Sequence, residues 1–105
     1  MHTQQTAVAL VQQFAAEVRQ FIPLRQVVLF GSYARNEQHE WSDIDVALIA
    51  DSFTGFGFDD VKLVSAVLGQ RMYLEFEPHT FNTAAYEAQN SPLAEEIKRT
   101  GIVVA

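Results

Sequence analysis

A Gly-Ser pair and an Asp-x-Asp triplet, each next to an apolar run, constrain the fold of this chain more than any other feature. The apolar residues 27–30 directly precede Gly31 and Ser32, ten residues follow, and Asp43 then opens a second apolar run over residues 43–50. Short apolar runs rich in β-branched side chains are typical of buried strands. The pattern therefore predicts a turn at the end of one buried strand and two carboxylates at the start of the next.

The two aspartates of the triplet can form a metal site. Asp43 and Asp45 are two residues apart, so in a strand they share a face with Cα atoms roughly 6.5 Å apart. Magnesium prefers carboxylate and phosphate oxygens together with water, and two-metal sites hold their ions about 3.5–4 Å apart. Two neighbouring carboxylates without a cation are costly unless both face water. The triplet thus predicts a magnesium site, with an exposed strand end as the alternative.

The Gly-Ser pair can hold a phosphate. Gly31 has no side chain, so an anion can approach its backbone, and a helical turn beginning at Ser32 would direct free amides at that anion. Arg35 follows closely and could contact a phosphate, or it could be a solvated loop residue. A Gly-Ser pair alone is more often an ordinary turn, but its combination with the aspartates favours a metal-bound triphosphate.

The remaining sequence predicts an α+β fold, a small mixed sheet with helices packed on one face. Apolar spacing and end signals predict the other elements. These are helices over residues 6–22, from Asp59 to about residue 69, over 83–89 and from Ser91 to Gly101, with strands over 25–30, 43–50, 72–76 and 102–104.

Composition limits the function classes. With 105 residues, of which 49% are hydrophobic, the chain predicts one domain over residues 1–105. A net charge of -6 is a poor match for long nucleic acid. The chain has no cysteine, no apolar run of bilayer length and no signal-peptide pattern, which predicts a cytoplasmic protein without a membrane partner.

These motifs resemble the minimal nucleotidyltransferases, members of the DNA polymerase β-like superfamily. The resemblance is carried by residues 31–35 and 41–45, and more weakly by residues 77–79, 90–97 and 101–102. It implies the polymerase β-like nucleotidyltransferase fold. It also implies that Asp43 and Asp45 bind magnesium, with two ions expected, while the Gly-Ser turn holds ATP or another triphosphate. An acceptor hydroxyl would then attack the α-phosphate and release pyrophosphate.

The resemblance also implies a third carboxylate on a later strand. Relatives often carry an aspartate where Tyr73 aligns, and a tyrosine cannot replace it as a magnesium ligand. The predicted strand places Glu75 and Glu77 on the same face as Tyr73. Glu77 is favoured as the third metal ligand and catalytic carboxylate because it lies in a family-like Glu-Pro-His segment, and Glu75 is the alternative. If both are solvated acids, the domain would bind a nucleotide but transfer it poorly.

Similarity to small family members implies a protein partner. Such members are often encoded beside a HEPN toxin and act as its antitoxin, in some cases by adenylylating a toxin tyrosine. A non-catalytic antitoxin that occludes its partner is the alternative, and clustered exposed Phe53, Phe56 and Phe58 would support it. Homo- or hetero-oligomer formation stays open. A metal-dependent phosphohydrolase ranks last because it would not need the Gly-Ser turn.

Three other side chains carry weaker signals. His39 and His79 match no standard zinc spacing, so both are expected to be surface histidines. Trp41 precedes the aspartates and is expected to pack under the loop, although a role in partner binding is also open.

Overall fold

A computed structural model describes residues 2–88 and 91–105 of the chain. The elements in chain order are α1 (Gln4–Val18), β1 (Gln26–Phe30), β2 (Ile44–Ala50), α2 (Gly57–Leu68), a 3-10 turn (Arg71–Tyr73), β3 (Phe76–Asn82), α3 (Thr83–Glu87), α4 (Pro92–Thr100) and β4 (Ile102–Val103). This confirms the predicted α+β class with a small mixed sheet.

The sheet has the order β3-β2-β1-β4. Strand β1 is antiparallel to both β2 and β4, whereas β2 and β3 are parallel. Phe30 at the end of β1 pairs with Asp45 near the start of β2. The predicted Gly-Ser turn and Asp-x-Asp triplet therefore meet at one end of the sheet.

The two faces of the sheet are covered by different helices. Helices α1 and α2 pack on the face that carries Val27 and Leu29, where they form the larger apolar core. Residues of α3 and α4 pack on the opposite face against Val28, Ala47 and Ile49. The expected one-sided packing thus describes α1 and α2, while α3 and α4 add a smaller second layer.

Helix α1 begins and ends earlier than residues 6–22. Thr3 caps it, with its hydroxyl accepting the Thr6 amide while the Thr6 hydroxyl accepts the Thr3 amide. Turn hydrogen bonds continue beyond Val18, since the Ile22 amide donates to the Val18 carbonyl at 3.0 Å. Pro23 prevents further helical hydrogen bonding because it lacks an amide donor and disfavours helical backbone in the residue before it. No helix within residues 2–88 and 91–105 is long and apolar enough to cross a membrane.

The third strand lies further along the chain than predicted. Residues 72–76 were expected to form it, but Arg71–Tyr73 is a 3-10 turn and β3 begins at Phe76. Tyr73 is buried against Phe14 and Phe76, and its hydroxyl donates to a Glu17 carboxylate. Burial and this carboxylate raise the pKa of Tyr73. Packing therefore removes Tyr73 from the strand and places it in the core, away from the predicted carboxylate row.

Helix α4 follows its sequence signals, and α3 begins at Thr83, where the helix over residues 83–89 was expected. Asn82 caps α3, which ends at Glu87, and residue 89 of the predicted helix lies outside the described residues. The Ser91 hydroxyl accepts the Ala94 amide at 3.1 Å and Pro92 opens α4, as predicted.

Helix α2 begins at Gly57, so the predicted cap at Asp59 is wrong. The next residue, Asp60, is buried and ties the preceding loop to the sheet. Its Oδ1 accepts the Thr54 amide and hydroxyl at 2.9 Å each, and its Oδ2 accepts the Gly55 amide and the Thr80 hydroxyl at 2.8 Å each. Burial by itself raises the pKa of Asp60, but these hydrogen bonds outweigh burial and lower it.

Replacing Asp60 with Asn is expected to lower the free energy of unfolding by about 2–3 kcal/mol, because an amide nitrogen would face donors where an oxygen now accepts. The stabilisation by the carboxylate is present above its unfolded-state pKa of about 3.9 and is lost as the pH falls through the depressed folded-state pKa. Urea unfolding between pH 7 and pH 3 measures both effects. Asp59→Asn, at the exposed neighbouring position, is the control, and equal losses for the two variants would contradict the assignment.

Candidate functional site

The parallel pairing of β2 and β3 brings two carboxylates together. Asp45 is the register partner of Glu77, so both side chains leave the same face of the sheet. His79 follows Glu77 by two residues and shares that face. One ligand atom from each of Asp45, Glu77 and His79 lies within 4.8 Å of the other two. These three residues are called the β2–β3 cluster below.

The β2–β3 cluster lies beside the Gly-Ser turn. Gly31 has a φ of 74°, in the left-handed region, and a Cβ there would overlap the Asp45 carboxylate and lie 3.1 Å from its Cγ. Only glycine fits this backbone without displacing that carboxylate. The end of β1 is therefore in direct contact with a member of the cluster.

The turn after Gly31 has the predicted helical character. The Arg35 amide donates to the Gly31 carbonyl at 3.2 Å, and the Glu37 amide donates to the Ser32 carbonyl at 2.8 Å. The turn is also held from α1, since the Gln4 side-chain amide donates to the Tyr33 and Ala34 carbonyls at 3.0 and 3.1 Å. These hydrogen bonds fix the turn, so the backbone amides that directly follow Gly31 hold one position.

Arg35 lies on the exposed side of this turn. Its Nε donates to a Glu37 carboxylate oxygen at 3.0 Å. The pair is half-exposed, and such surface pairs contribute little, about 0–1 kcal/mol. Because this ion pair is weak, Arg35 can release Glu37 and bind an anion that carries more negative charge.

The other predicted carboxylates differ in position. Asp43 is exposed, one residue before β2, and its charge is among those that raise the pKa of Glu77. Glu75 is exposed ahead of β3, and its carboxylate lies 3.9 Å from His2 Nε2. The structure thus brings Glu77 to Asp45, while Glu75 lies outside the β2–β3 cluster.

The electrostatics of the cluster are dominated by negative charge. Partial burial and then the charge on Asp45 raise the pKa of Glu77, whereas His79 lowers it. Among the described residues, His79 provides the only cationic group within 4.0 Å of these carboxylates, at 3.7 Å from Asp45 and 4.0 Å from Glu77. The arrangement would be stabilised by a bound cation.

His79 is the neighbour that the sequence did not assign to the site. Its side chain is 31% exposed and packs edge-on against Phe30, with ring centroids 5.0 Å apart. The alternation of side chains along β3, counted from Glu77, is the signal that could have found it. His39, in contrast, is exposed, and its Nδ1 accepts the Trp41 amide at 3.3 Å.

Two expectations about aromatic residues are wrong. Trp41 does not pack under the loop, because its side chain is 83% exposed. Phe53 is buried in the larger core, so it cannot be part of an exposed cluster with Phe56 and Phe58, which are 72% and 82% exposed.

The fold and the family match identify a nucleotidyltransferase domain. Residues 11–99 match the family of nucleotidyltransferase domains, and the chain belongs to that family. The family confirms the resemblance found in the sequence and identifies the chain as an enzyme of the nucleotidyltransferase class. No curated protein matches the chain significantly.

Solved structures share the fold. A candidate nucleotidyltransferase from Sulfolobus solfataricus is 20% identical with a TM-score of 0.69, over 95% of this chain and 80% of that one. A toxin–antitoxin crystal structure with AMP-PNP is 22% identical with a TM-score of 0.64, over 90% of this chain and 72% of that one. At these identities the similarity confirms the nucleotidyltransferase fold.

Proposed function

We propose that this chain, acting as one minimal domain over residues 1–105, transfers AMP from ATP to an acceptor hydroxyl with the help of a divalent cation. The observation that carries the proposal is the position of Asp45, which contacts Gly31 on one side and pairs with Glu77 on the other. A triphosphate held at the Gly-Ser turn would lie beside the carboxylates, where a cation can bind both.

The donor set fits a magnesium site. Carboxylate oxygens are the protein ligands that magnesium prefers, and Asp43, Asp45 and Glu77 would hold one or two ions. When bound, the metal would supply positive charge that neutralises the triphosphate and stabilises charge in the transition state. Without it, the carboxylates would repel the nucleotide that the turn is proposed to hold.

The remaining groups would bind and orient the reactants. Amides following Gly31 and the Ser32 hydroxyl would donate to phosphate oxygens, and Arg35 would exchange Glu37 for the triphosphate. The acceptor oxygen forms a bond to the α-phosphorus while the bond from that phosphorus to the bridging oxygen breaks, so pyrophosphate leaves. The hydroxyl proton passes to a free carboxylate oxygen of the site. Positioning and charge neutralisation provide most of the rate enhancement.

A tyrosine of a HEPN-type toxin is the proposed acceptor, with this chain as the antitoxin. Support comes from the fold shared with a toxin–antitoxin structure that contains AMP-PNP, an ATP analogue. The exposure of Trp41, which lies two residues before Asp43 and is 83% exposed, also supports contact with a large acceptor.

Transfer of label tests this proposal. The chain is incubated with ATP labelled at the α-phosphate, magnesium and the product of the neighbouring gene. Label is expected on a tyrosine of that protein and is expected to disappear with Asp43→Ala. Label that persists with Asp43→Ala, or no label under any condition with the wild-type chain, would contradict the proposal.

Occlusion of the toxin without chemistry is the second candidate function. It is favoured by an exposed apolar shelf formed by Phe58, Val61 and Pro78, with Phe56 exposed nearby. Such a shelf, on the side of the sheet that α2 covers, could bind a partner surface directly. A folded variant that lacks both Asp43 and Asp45 distinguishes the two: rescue of cells from the toxin supports occlusion, whereas loss of rescue supports nucleotidyl transfer.

A further inference from the structure

His79 faces two of the three carboxylates that are proposed to hold the cation, Asp45 and Glu77. We propose that His79 Nε2 is an additional metal ligand in this site, and that it gives the site a preference for Mn²⁺ over Mg²⁺. The inference rests on the proposed function and adds to it a metal preference and a ligand that the Gly-Ser and Asp-x-Asp motifs do not contain.

The distances from His79 to the two carboxylates fit binding of a shared metal ion better than direct hydrogen bonds. His79 Nε2 lies 3.7 Å from Asp45 Oδ1 and 4.0 Å from Glu77 Oε1, both too long for hydrogen bonds. Two ligands that are each about 2.1 Å from one ion lie at most about 4.2 Å apart, whatever the angle between them. Both distances are below that limit, so neither prevents a single ion from contacting Nε2 together with the carboxylate concerned.

The position of the imidazole is set by the fold. Glu77 and His79 are two residues apart and lie on the same face of β3. The register places them beside Asp45 and Ala47 of β2. The small Ala47 side chain leaves room for the ring, which packs edge-on against Phe30. His79 therefore needs no large rearrangement to direct Nε2 toward the carboxylates.

The added nitrogen changes which ion is favoured. Magnesium binds oxygen ligands and water, whereas imidazole is a good ligand for first-row transition metals. A site with carboxylates alone would give Mn²⁺ little advantage. A site with two carboxylates and one imidazole should therefore bind Mn²⁺ more tightly than Mg²⁺.

Binding of each metal alone, without nucleotide, tests the inference. Calorimetric titration of the wild-type chain with Mn²⁺ and with Mg²⁺ is compared with His79→Gln, whose amide oxygen replaces the imidazole nitrogen with a hard ligand. His79→Gln is expected to weaken Mn²⁺ binding about tenfold or more and to change Mg²⁺ binding by less than about threefold. Electron spin echo spectroscopy of bound Mn²⁺ should show coupling to an imidazole nitrogen in the wild type and none in the variant.

His39→Asn is the control, since it removes an exposed histidine outside the β2–β3 cluster and can still accept the Trp41 amide. An unchanged Mn²⁺ to Mg²⁺ ratio in His79→Gln, or stronger binding of both ions as expected for removal of a mere counter-charge, would overturn the inference. The Asp45→Asn variant distinguishes failure of the inference about His79 from failure of the proposed function. If Asp45→Asn loses both ions while His79→Gln keeps the ratio, only the inference fails; if Asp45→Asn binds both ions like the wild type, the proposed metal site fails too.

Discussion

Asp45→Asn is expected to lower nucleotidyl transfer by about 10³-fold while the fold is kept. Asn has the shape of Asp but not its charge, and the loss of preorganised electrostatic stabilisation typically costs about 10²–10³-fold per group. Asp45 is also the residue that joins the Gly-Ser turn to Glu77, so both halves of the site depend on it. Initial rates with labelled ATP at saturating metal measure the effect.

The stability of this variant should not fall together with its activity. Removing one of two adjacent carboxylates relieves repulsion, so the metal-free variant should unfold at a temperature equal to or above that of the wild type. Asp51→Asn is the matched control, because Asp51 directly follows the same strand but pairs with Arg25 at 2.9 Å on the exposed surface. Equal activity losses in both variants, or a clear drop in unfolding temperature for Asp45→Asn alone, would contradict the proposed role.

Gly31→Ala is expected to reduce activity by about 10²-fold, since a displacement of about 1 Å in a catalytic group can cost that much. The new Cβ would overlap the Asp45 carboxylate and push it away from Glu77. The positive φ adds a backbone cost of about 1–3 kcal/mol. Initial rates and thermal unfolding of the variant measure the two effects.

Gly55→Ala separates backbone strain from displacement of the carboxylate. Gly55 also has a positive φ, of 92°, but a Cβ there would meet nothing within 4 Å. The Gly55→Ala variant should therefore lose stability only through backbone strain, and it should keep its activity. If the two variants were equally active, the contact between Gly31 and Asp45 would have no role in the reaction.

Local patterns predicted the centre of the fold. The apolar runs before Gly31 and after Asp43 became β1 and β2, because buried strands impose a short-range signature on the sequence. Ser91 and Pro92 likewise mark the start of α4 through contacts within one turn. In each case the residues that decide the element lie within a few positions of one another.

The third strand shows where local patterns fail. Alternation of Met72, Leu74 and Phe76 suggested a strand, yet Tyr73 is the buried residue and Leu74 is exposed. Packing of Tyr73 on Phe14 of α1 decides this, and that contact joins positions far apart in sequence. The same holds for the pairing of Glu77 with Asp45, which depends on the register between β2 and β3.

A crystal structure with Mn²⁺ and AMP-PNP would show whether Asp45 and Glu77 hold a cation beside the Gly-Ser turn. We expect an anomalous peak within about 2.3 Å of carboxylate oxygens of Asp45 and Glu77, and a triphosphate whose oxygens accept from the amides after Gly31. A triphosphate bound away from the Gly-Ser turn, or a metal that contacts neither carboxylate, would contradict the proposed function.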